Sequence, residues 1–492
     1  MTARTIMVQG TASSVGKSLL VTALCRIFAR RGLKVAPFKA QNMALNSAVT
    51  PDGAEIGRAQ FVQAEAAGAV PRAEMNPILL KPEAISSSQV VVLGRPIGSM
   101  HYRDYHHHKL ELRDVVGQAL DRLRAEHDLL VIEGAGSPAE VNLKDRDLVN
   151  MWLAERAEAP VVLVTDIERG GALAALVGTL ELLEPHERAR VGALVVNKFR
   201  GDPGLFEGGV RFLEERTGVR VAGVIPHLGD TGIASEDSLD LRPARSSPGG
   251  VPVAVVRLPR LSNFDELEPL QREPGLQVRF CEHPDALKDA ALVILPGTKR
   301  TATDLEWLRK TGLAQAIVAR ARHGGPVLGI CGGYQMLGRV VRDPHGVESP
   351  HAEMPGLGLL PVVTTFAREK ETAPVTLRLE EGLPLLQTAG GREATGYEIH
   401  CGRVEVDPGT ARFGEVIARR GQPAREPDGA VSGPVAGTLV HGLFEDDRVR
   451  EALVRALGAA PGAARGRDPY DTLADHFAAA LDLAHLARLA GV

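Results

Sequence analysis

The feature that most constrains the fold is a repeated order of short apolar run, glycine or polar turn, and helical pattern in the first half of the chain. This order is typical of a parallel α/β sheet, because parallel strands need long crossover connections. The runs are apolar on both faces, which predicts strands covered by helices on both sides. The predicted strands are 5–9, 34–38, 129–133, 160–165, 191–197 and 221–226.

A second α/β series begins after a stretch rich in charged residues, proline, serine and glycine at 229–250. Its predicted strands are 251–258, 291–295 and 326–330, and the pattern ends near residue 446. A chain of 492 residues is also too long for one ordinary core. We therefore predict α/β domains at 1–235 and 251–447, a linker at 236–250 and a helical extension at 448–492.

Charge and hydropathy exclude several classes of partner. The net charge is -4, and no basic stretch is interleaved with aromatic residues, so nucleic acid is not an expected partner. We find neither a signal peptide nor an apolar run long enough to span a bilayer, and we expect a cytoplasmic protein without a membrane partner. The pattern does not predict an oligomeric state.

A phosphate-binding loop is predicted between the first strand and a helix at 18–31. Its glycines let the backbone wrap a phosphate, Lys17 can reach the β- and γ-phosphates, and Ser18 can ligate Mg²⁺. The sequence therefore predicts a site for ATP and Mg²⁺. The residues predicted to bind ATP here are Gly10, Thr11, Ser13, Ser14, Val15, Gly16, Lys17 and Ser18.

The loop is one residue longer than the common form, since five residues separate Gly10 from Gly16. This spacing resembles that of dethiobiotin synthetase and its relatives, which are ligases that activate a carboxylate. Partitioning ATPases carry a lysine where this chain has Ala12, so the likeness does not favour a partitioning motor.

Further ATP and metal residues are predicted where strands end, because open α/β sheets bind ligands at the carboxyl ends of their strands. Glu133 ends a strand and is a candidate Mg²⁺ ligand. Asp52 is a second candidate, with a simple turn before Gly53 as the alternative. Asp166 follows the predicted strand 160–165 and is a comparable candidate for binding Mg²⁺. Asn197 is predicted to contact the nucleobase, or else to cap a turn.

Cys331 lies in a glycine-framed turn between a strand and a helix, Gly329-Ile330-Cys331-Gly332-Gly333. Such framing permits the strained turn of a nucleophile elbow, which packing alone does not require. The other cysteines, Cys25, Cys281 and Cys401, lack it, and we interpret them as small buried apolar side chains. Three consecutive histidines at 106–108 are interpreted as a solvated helix start rather than a metal site.

A thiolate nucleophile needs a base and an oxyanion hole. His441 follows an apolar run downstream of the elbow, the order found in class I glutamine amidotransferases, which this half of the chain resembles. Backbone amides near Gly297 and Gly332 are the predicted oxyanion hole. Most enzymes of that class have a glutamate two residues after the histidine, where this chain has Leu443. We therefore expect a Cys331–His441 dyad, with Glu445 as an alternative orienting carboxylate.

With both motifs in hand, residues 4–447 resemble the cobyric acid synthase family of adenosylcobalamin biosynthesis. Beyond the motifs, the likeness rests on segments 41–47, 55–60, 76–82, 166–171 and 396–400. From the residues alone, these segments indicate only polar side chains that could reach a large acceptor rich in carboxylates. Gln41, Asn42, Asn46 and Lys81 are the candidate acceptor-binding residues.

The resemblance implies a phosphate-loop NTPase-like domain fused to an amidotransferase domain. It also implies four amidations, at the b, d, e and g side chains of adenosylcobyrinic acid a,c-diamide, with L-glutamine as nitrogen donor and ATP consumed. One alternative is the sister ligase that amidates the a and c side chains; segments 41–47 and 76–82 favour the cobyric acid synthase family. Another is a nucleotide switch or scaffold protein with an inactive amidotransferase domain, which the presence of Cys331 and His441 disfavours.

Overall fold

The computed structural model describes residues 2–84, 86–229, 232–233, 249–462 and 467–492. Within these ranges the chain forms two compact units. The first contains residues 2–43, 56–84, 86–229, 232–233 and 467–492, and the second contains 44–55 and 249–462. The predicted linker at 236–250 lies almost entirely outside the described residues.

In chain order the strands are β1 (Arg4–Gly10), β2 (Val35–Phe38), β3 (Gln41–Met43), β4 (Ser47–Val49), β5 (Glu55–Gly57), β6 (Ile78–Ala84), β7 (Ser87–Val92), β8 (Arg95–His101), β9 (Leu129–Glu133), β10 (Val161–Asp166), β11 (Val191–Phe199), β12 (Val221–Pro226), β13 (Val251–Val256), β14 (Leu276–Cys281), β15 (Leu292–Leu295), β16 (Val327–Ile330), β17 (Val340–Arg342), β18 (Glu353–Pro355), β19 (Val362–Leu379), β20 (Glu393–Val406), β21 (Gly414–Arg419), β22 (Gln422–Asp428), β23 (Ala430–Ser432) and β24 (Val435–Thr438).

The helices are α1 (Lys17–Arg30), α2 (Arg58–Ala67), α3 (Tyr102–His108), α4 (Leu112–Glu126), α5 (Met151–Arg156), α6 (Ala172–Leu182), α7 (Pro185–Arg188), α8 (Glu207–Thr217), α9 (Glu268–Gln271), α10 (Thr301–Lys310), α11 (Leu313–Arg322), α12 (Gly332–Leu337), α13 (Asp447–Ala456), α14 (Pro469–Ala478) and α15 (Leu483–Ala490). A 3-10 helix at Phe264–Leu267 matters for the site described below.

The first unit is built on a parallel sheet in the order β12-β11-β10-β1-β9-β2. Every residue of β9 and β10 is buried, as expected for strands covered on both faces. The predicted parallel α/β class is thus confirmed for this unit. Because all of these strands run the same way, the phosphate loop and the residues that follow β2, β9, β10 and β11 meet at one edge. A smaller sheet, β3-β6-β7-β8, belongs to the same unit.

The predicted C-terminal extension is divided between the units. Helix α13 belongs to the second unit, whereas α14 and α15 belong to the first. Arg26 on α1 forms ion pairs of 2.8 Å with Asp468 and with Asp471. Leu473 and Phe477 are buried in the core beside α1. Apolar packing and charge pairing therefore make the last two helices part of the first unit.

The second unit contains a parallel sheet in the order β14-β13-β15-β16-β24, with β23 antiparallel at its edge. Strands β13, β15 and β16 correspond to the predicted strands, and the α/β class is confirmed here too. A second, mostly antiparallel sheet, β18-β17-β19-β21-β22 with β20 paired to β19, was not predicted. The long hairpin of β19 and β20 matters for the site, because it reaches Cys331.

Two expectations about other segments can be compared with the structure. The histidines at 106–108 end helix α3 rather than start it. Among the described residues, no group of three or more His, Cys, Asp or Glu side chains could hold a metal ion. Over the same part of the chain, every helix is too short or too polar to cross a membrane.

Candidate active sites

The phosphate loop of the first unit curves between β1 and α1. Gly16 has a left-handed backbone with φ of 98°, and a Cβ on Gly10 would come within 2.6 Å of Val15 Cγ2, so both positions require glycine. Lys17 Nζ donates hydrogen bonds to the carbonyls of Ala12, at 2.9 Å, and Gly136, at 3.1 Å. The ammonium therefore already lies inside the loop, where a bound phosphate would meet it.

Residues at the carboxyl ends of β10 and β11 brace the loop from one side. The amide of Asn197 donates to the carbonyl of Val15 at 2.8 Å. Lys198 Nζ donates to the carbonyl of Ser14 at 2.7 Å and forms an ion pair of 2.9 Å with Asp166. Asn197 thus contacts the loop itself, and its contact with a nucleobase stays a prediction.

Glu133, at the end of β9, is the centre of a buried polar cluster with only 1% of its surface exposed. One carboxylate oxygen, Oε1, accepts from the Ser18 hydroxyl at 2.9 Å and from Lys39 Nζ at 2.8 Å. The other accepts from Gln63 on α2 at 2.6 Å. The structure therefore brings the candidate metal ligands Ser18 and Glu133 together, with Lys39 and Gln63 beside them, and their binding of Mg²⁺ stays a prediction.

The Ser18 and Glu133 oxygens fit a magnesium ion. Hydroxyl and carboxylate oxygens are hard ligands of the kind that Mg²⁺ prefers, and these two lie 2.9 Å apart in a hydrogen bond. Asp52 differs from these two, because it is exposed in the second unit, where it accepts a hydrogen bond from the hydroxyl of Thr50. Its role as a metal ligand stays a prediction.

The candidate acceptor-binding residues fall in both units. Gln41 accepts a hydrogen bond from the Tyr105 hydroxyl, and the amide of Asn42 donates to Gln60 at 3.0 Å. Lys81 is buried on β6. Asn46 lies in the second unit and accepts a hydrogen bond from the backbone of Phe264. Contact of these four residues with a corrinoid stays a prediction.

Cys331 of the second unit has the strained backbone of a nucleophile elbow, with φ of 50° and ψ of −110°. A Cβ on Gly333 would come within 1.8 Å of the carbonyl oxygen of Leu295, so the turn tolerates no larger residue there. The thiol points to the carbonyl of Ile399 on β20 at 3.5 Å. By contrast, burial and then Glu133 raise the pKa of the Cys25 thiol, consistent with an inert apolar role.

His441 is held by a carboxylate that the sequence did not reveal. Its Nδ1 lies 2.9 Å from Glu266 Oε1, and the other oxygen of Glu266 accepts from the backbone of Gly442 at 3.1 Å. Both side chains are buried, with 1% and 2% exposed. Burial favours the neutral imidazole, but Glu266 and then Cys331 outweigh it, so the pKa of His441 lies well above 6.5.

The remaining contacts fix the imidazole ring in place. Tyr397 stacks on His441 with ring centroids 5.3 Å apart and planes 13° apart. A Cβ on Gly297 would lie 2.8 Å from His441 Cε1, and one on Gly332 would lie 3.2 Å from the backbone nitrogen of Thr298. The predicted oxyanion-hole glycines therefore lie beside the elbow and the histidine. Their role stays a prediction.

Glu266, and not Glu445, is the carboxylate at the histidine, because Glu445 is exposed on the 3-10 helix Leu443–Glu445. One feature of the sequence pointed to the region of Glu266. Parallel strands place the segments after β13, β15, β16 and β24 at one edge, and Glu266 lies in the segment after β13. That segment also contains Asp265, Glu268 and Glu273, so the pattern alone cannot choose among the four.

Comparison with known protein families agrees with this division of sites. Residues 6–239 match the model of the CobQ/CobB/MinD/ParA nucleotide binding domain. Residues 252–449 match the CobB/CobQ-like glutamine amidotransferase domain.

Several curated proteins are similar over nearly their whole length, and each is named cobyric acid synthase. The protein of Sorangium cellulosum (strain So ce56) is 56% identical over 517 residues, which cover 100% of this chain and 99% of its own. That of Pelotomaculum thermopropionicum is 52% identical, covering 94% of this chain and 89% of its own. That of Moorella thermoacetica is 49% identical, covering 100% and 98%. This chain belongs to the cobyric acid synthase family.

Proposed function

We propose that this chain is a carbon–nitrogen ligase that transfers ammonia from L-glutamine to the b, d, e and g carboxylates of adenosylcobyrinic acid a,c-diamide. The product is adenosylcobyric acid, and ATP is consumed. The observation that carries the proposal is the strained Cys331 beside a buried His441–Glu266 pair, on a chain that also holds a phosphate loop. Membership in the family supports the choice of acceptor.

The first half-reaction, hydrolysis of glutamine, follows from the geometry of the elbow. Cys331 as thiolate attacks the side-chain carbonyl carbon of glutamine, and His441 as imidazolium gives its proton to the departing nitrogen, so that ammonia leaves and a thioester remains. Water then attacks the thioester while His441 takes its proton, and glutamate leaves. Glu266 stabilises the imidazolium and fixes the Nδ1–H tautomer. Backbone amides near Gly297 and Gly332 stabilise the oxyanion.

The second half-reaction, amide formation, needs an activated acceptor, since a free carboxylate has no adequate leaving group. Attack of the carboxylate oxygen on the γ-phosphorus of ATP gives an acyl phosphate and ADP. Ammonia then attacks the carbonyl carbon, and phosphate leaves with the bonding electrons. Lys17 lies in the loop, and Lys39 donates a hydrogen bond to Glu133. Both ammonium groups supply positive charge beside the phosphates. Mg²⁺ held by Ser18 and Glu133 would neutralise further phosphate charge.

The two rival functions are less well supported. The sister ligase shares both domain models, but the similar full-length proteins reported above are all named cobyric acid synthase. A scaffold protein with an inactive amidotransferase domain has no use for an intact, buried Cys331–His441–Glu266 arrangement. Measuring glutamine hydrolysis with and without ATP separates this second rival from an enzyme.

Two variants test the assignment of the two sites. Cys331→Ala should lose glutamine-supported synthesis and keep synthesis with concentrated ammonia at elevated pH, because only the ammonia source is removed. Lys17→Ala should abolish synthesis with either nitrogen source. Loss of both activities in Cys331→Ala would count against separable sites, and activity retained in Lys17→Ala would refute its role at the phosphates.

A further inference from the structure

Residues 44–55 belong to the second unit, although the sequence on either side of them, up to 43 and from 56, belongs to the first. The segment also lies inside the match to the nucleotide binding domain, 6–239, and outside the match to the amidotransferase domain, 252–449. Here we call it the inserted hairpin. It contains β4 and the start of β5, and β4 packs against β19 and β20. An N-terminal part of the sequence thus completes the amidotransferase fold.

The inserted hairpin is held at the histidine side of the glutaminase site by a reciprocal pair of asparagines. Asn46 Oδ1 accepts from the backbone nitrogen of Phe264 at 3.3 Å, and Asn263 Oδ1 accepts from that of Ser47 at 3.2 Å. Asn46 and Ser47 are fully buried. Buried polar groups are costly unless paired, so these bonds specify where the hairpin sits.

The pair acts directly on the segment that carries Glu266. Asn263 has a left-handed backbone with φ of 53°, and it precedes the 3-10 helix Phe264–Leu267. The backbone nitrogen of Glu266 donates to the carbonyl of Asn263 at 3.3 Å, and its carboxylate faces His441. A shift of Asn263 or Phe264 would therefore move the carboxylate that orients the imidazole.

The other end of the inserted hairpin reaches the thiol side. Glu55 forms a buried ion pair of 2.5 Å with Lys370, and its other oxygen accepts from the Ser47 hydroxyl at 2.8 Å. Lys370 is the strand partner of Cys401, two residues beyond the Ile399 carbonyl that faces Cys331. Breaking a buried ion pair is strongly destabilising because it leaves a buried charge unpaired, so this pair holds Glu55 against Lys370.

We propose that the inserted hairpin is a positioning element of the glutaminase site, in which Asn46 sets the orientation of His441 through Phe264 and Glu266. The inference rests on the proposed function, because it assigns a role in glutamine hydrolysis. It assigns Asn46 a positioning role, in place of the predicted contact with the acceptor. It also makes glutamine hydrolysis depend on a stretch of sequence that the amidotransferase domain match does not include.

The test compares Asn46→Ala with Pro51→Ala, a control in the exposed turn of the same hairpin. Glutamine hydrolysis by the full chain is measured across pH. Asn46→Ala should lower kcat about tenfold, which is less than the roughly 10²-fold that a 1 Å misplacement of catalytic groups can cost. The basic limb of its pH profile should also move to lower pH, because Glu266 would support the imidazolium less well. Pro51→Ala should match the wild type in glutamine hydrolysis and in ammonia-supported synthesis.

A second variant covers the case in which Asn46→Ala does not fold. Asn263→Gly keeps a residue suited to the left-handed backbone but removes the oxygen that Ser47 needs, and it should shift the pH profile in the same direction. A wild-type kcat and pH profile in whichever variant folds would overturn the positioning role. Failure of the wild type itself to hydrolyse glutamine would instead overturn the proposed function.

Discussion

Replacing Glu266 by glutamine removes the negative charge that faces His441 while keeping the size of the side chain and one oxygen acceptor. In the wild type that charge lies 2.9 Å from Nδ1, and both groups are buried. A hydrogen bond to a charged group contributes about 1.5–3 kcal/mol. At 1.36 kcal/mol per factor of ten, its loss should lower kcat for glutamine hydrolysis roughly 10- to 150-fold.

The same substitution should change the pH dependence in a defined direction. Glu266 is the first of the groups that raise the pKa of His441 against the effect of burial. A raised pKa keeps the imidazolium, the proton donor to departing ammonia, populated to higher pH. Without the carboxylate the pKa falls, so the basic limb of the kcat profile should move to lower pH.

The assay is glutamate release from glutamine across pH, with ammonia-supported synthesis as an internal control. Glu445→Gln is the matched control variant, because Glu445 is an exposed glutamate close to His441 in sequence. It should behave as wild type. The reasoning would be refuted if Glu266→Gln kept the wild-type kcat and basic limb, or if ammonia-supported synthesis fell as far as glutamine hydrolysis did.

Two further predictions concern stability. Burial raises the pKa of Asp428 from 3.8 to about 6, so this group makes the fold less stable as pH rises through that window. The Tm of Asp428→Asn should therefore fall less than that of the wild type between pH 4 and pH 6. An identical fall in both proteins would contradict the effect. Gly333→Ala should destabilise the second unit by about 3 kcal/mol, since its Cβ would lie within 1.8 Å of the Leu295 carbonyl oxygen. An unchanged Tm would contradict the close approach.

The parallel sheets could be predicted from the sequence because each buried strand is a continuous apolar run between turns. The predicted strands at 129–133 and 221–226 match β9 and β12 at both ends. The hairpin of β19 and β20 could not be predicted in this way. Its first strand includes Arg368, Glu369 and Lys370 in sequence, which interrupt the apolar alternation of a half-buried strand.

The site residues were likewise predictable only where they belong to a contiguous sequence motif. The phosphate loop and the cysteine elbow are contiguous motifs, and the positions of their glycines indicate the backbone conformation that each motif requires. Glu266 and Lys39 act through tertiary contacts with His441 and Glu133, and nothing in their own neighbourhood distinguishes them from other charged residues. The inserted hairpin could not be predicted either, because continuity of sequence assigned it to the first domain.

The central claim is that one chain releases ammonia at Cys331 and attaches it to a carboxylate activated by ATP. Mass spectrometry of the corrinoid after incubation of the wild type with adenosylcobyrinic acid a,c-diamide, ATP, Mg²⁺ and glutamine tests it most directly. We expect four successive replacements of a hydroxyl by an amine, each dependent on both ATP and glutamine. An unchanged mass would contradict the acceptor assignment.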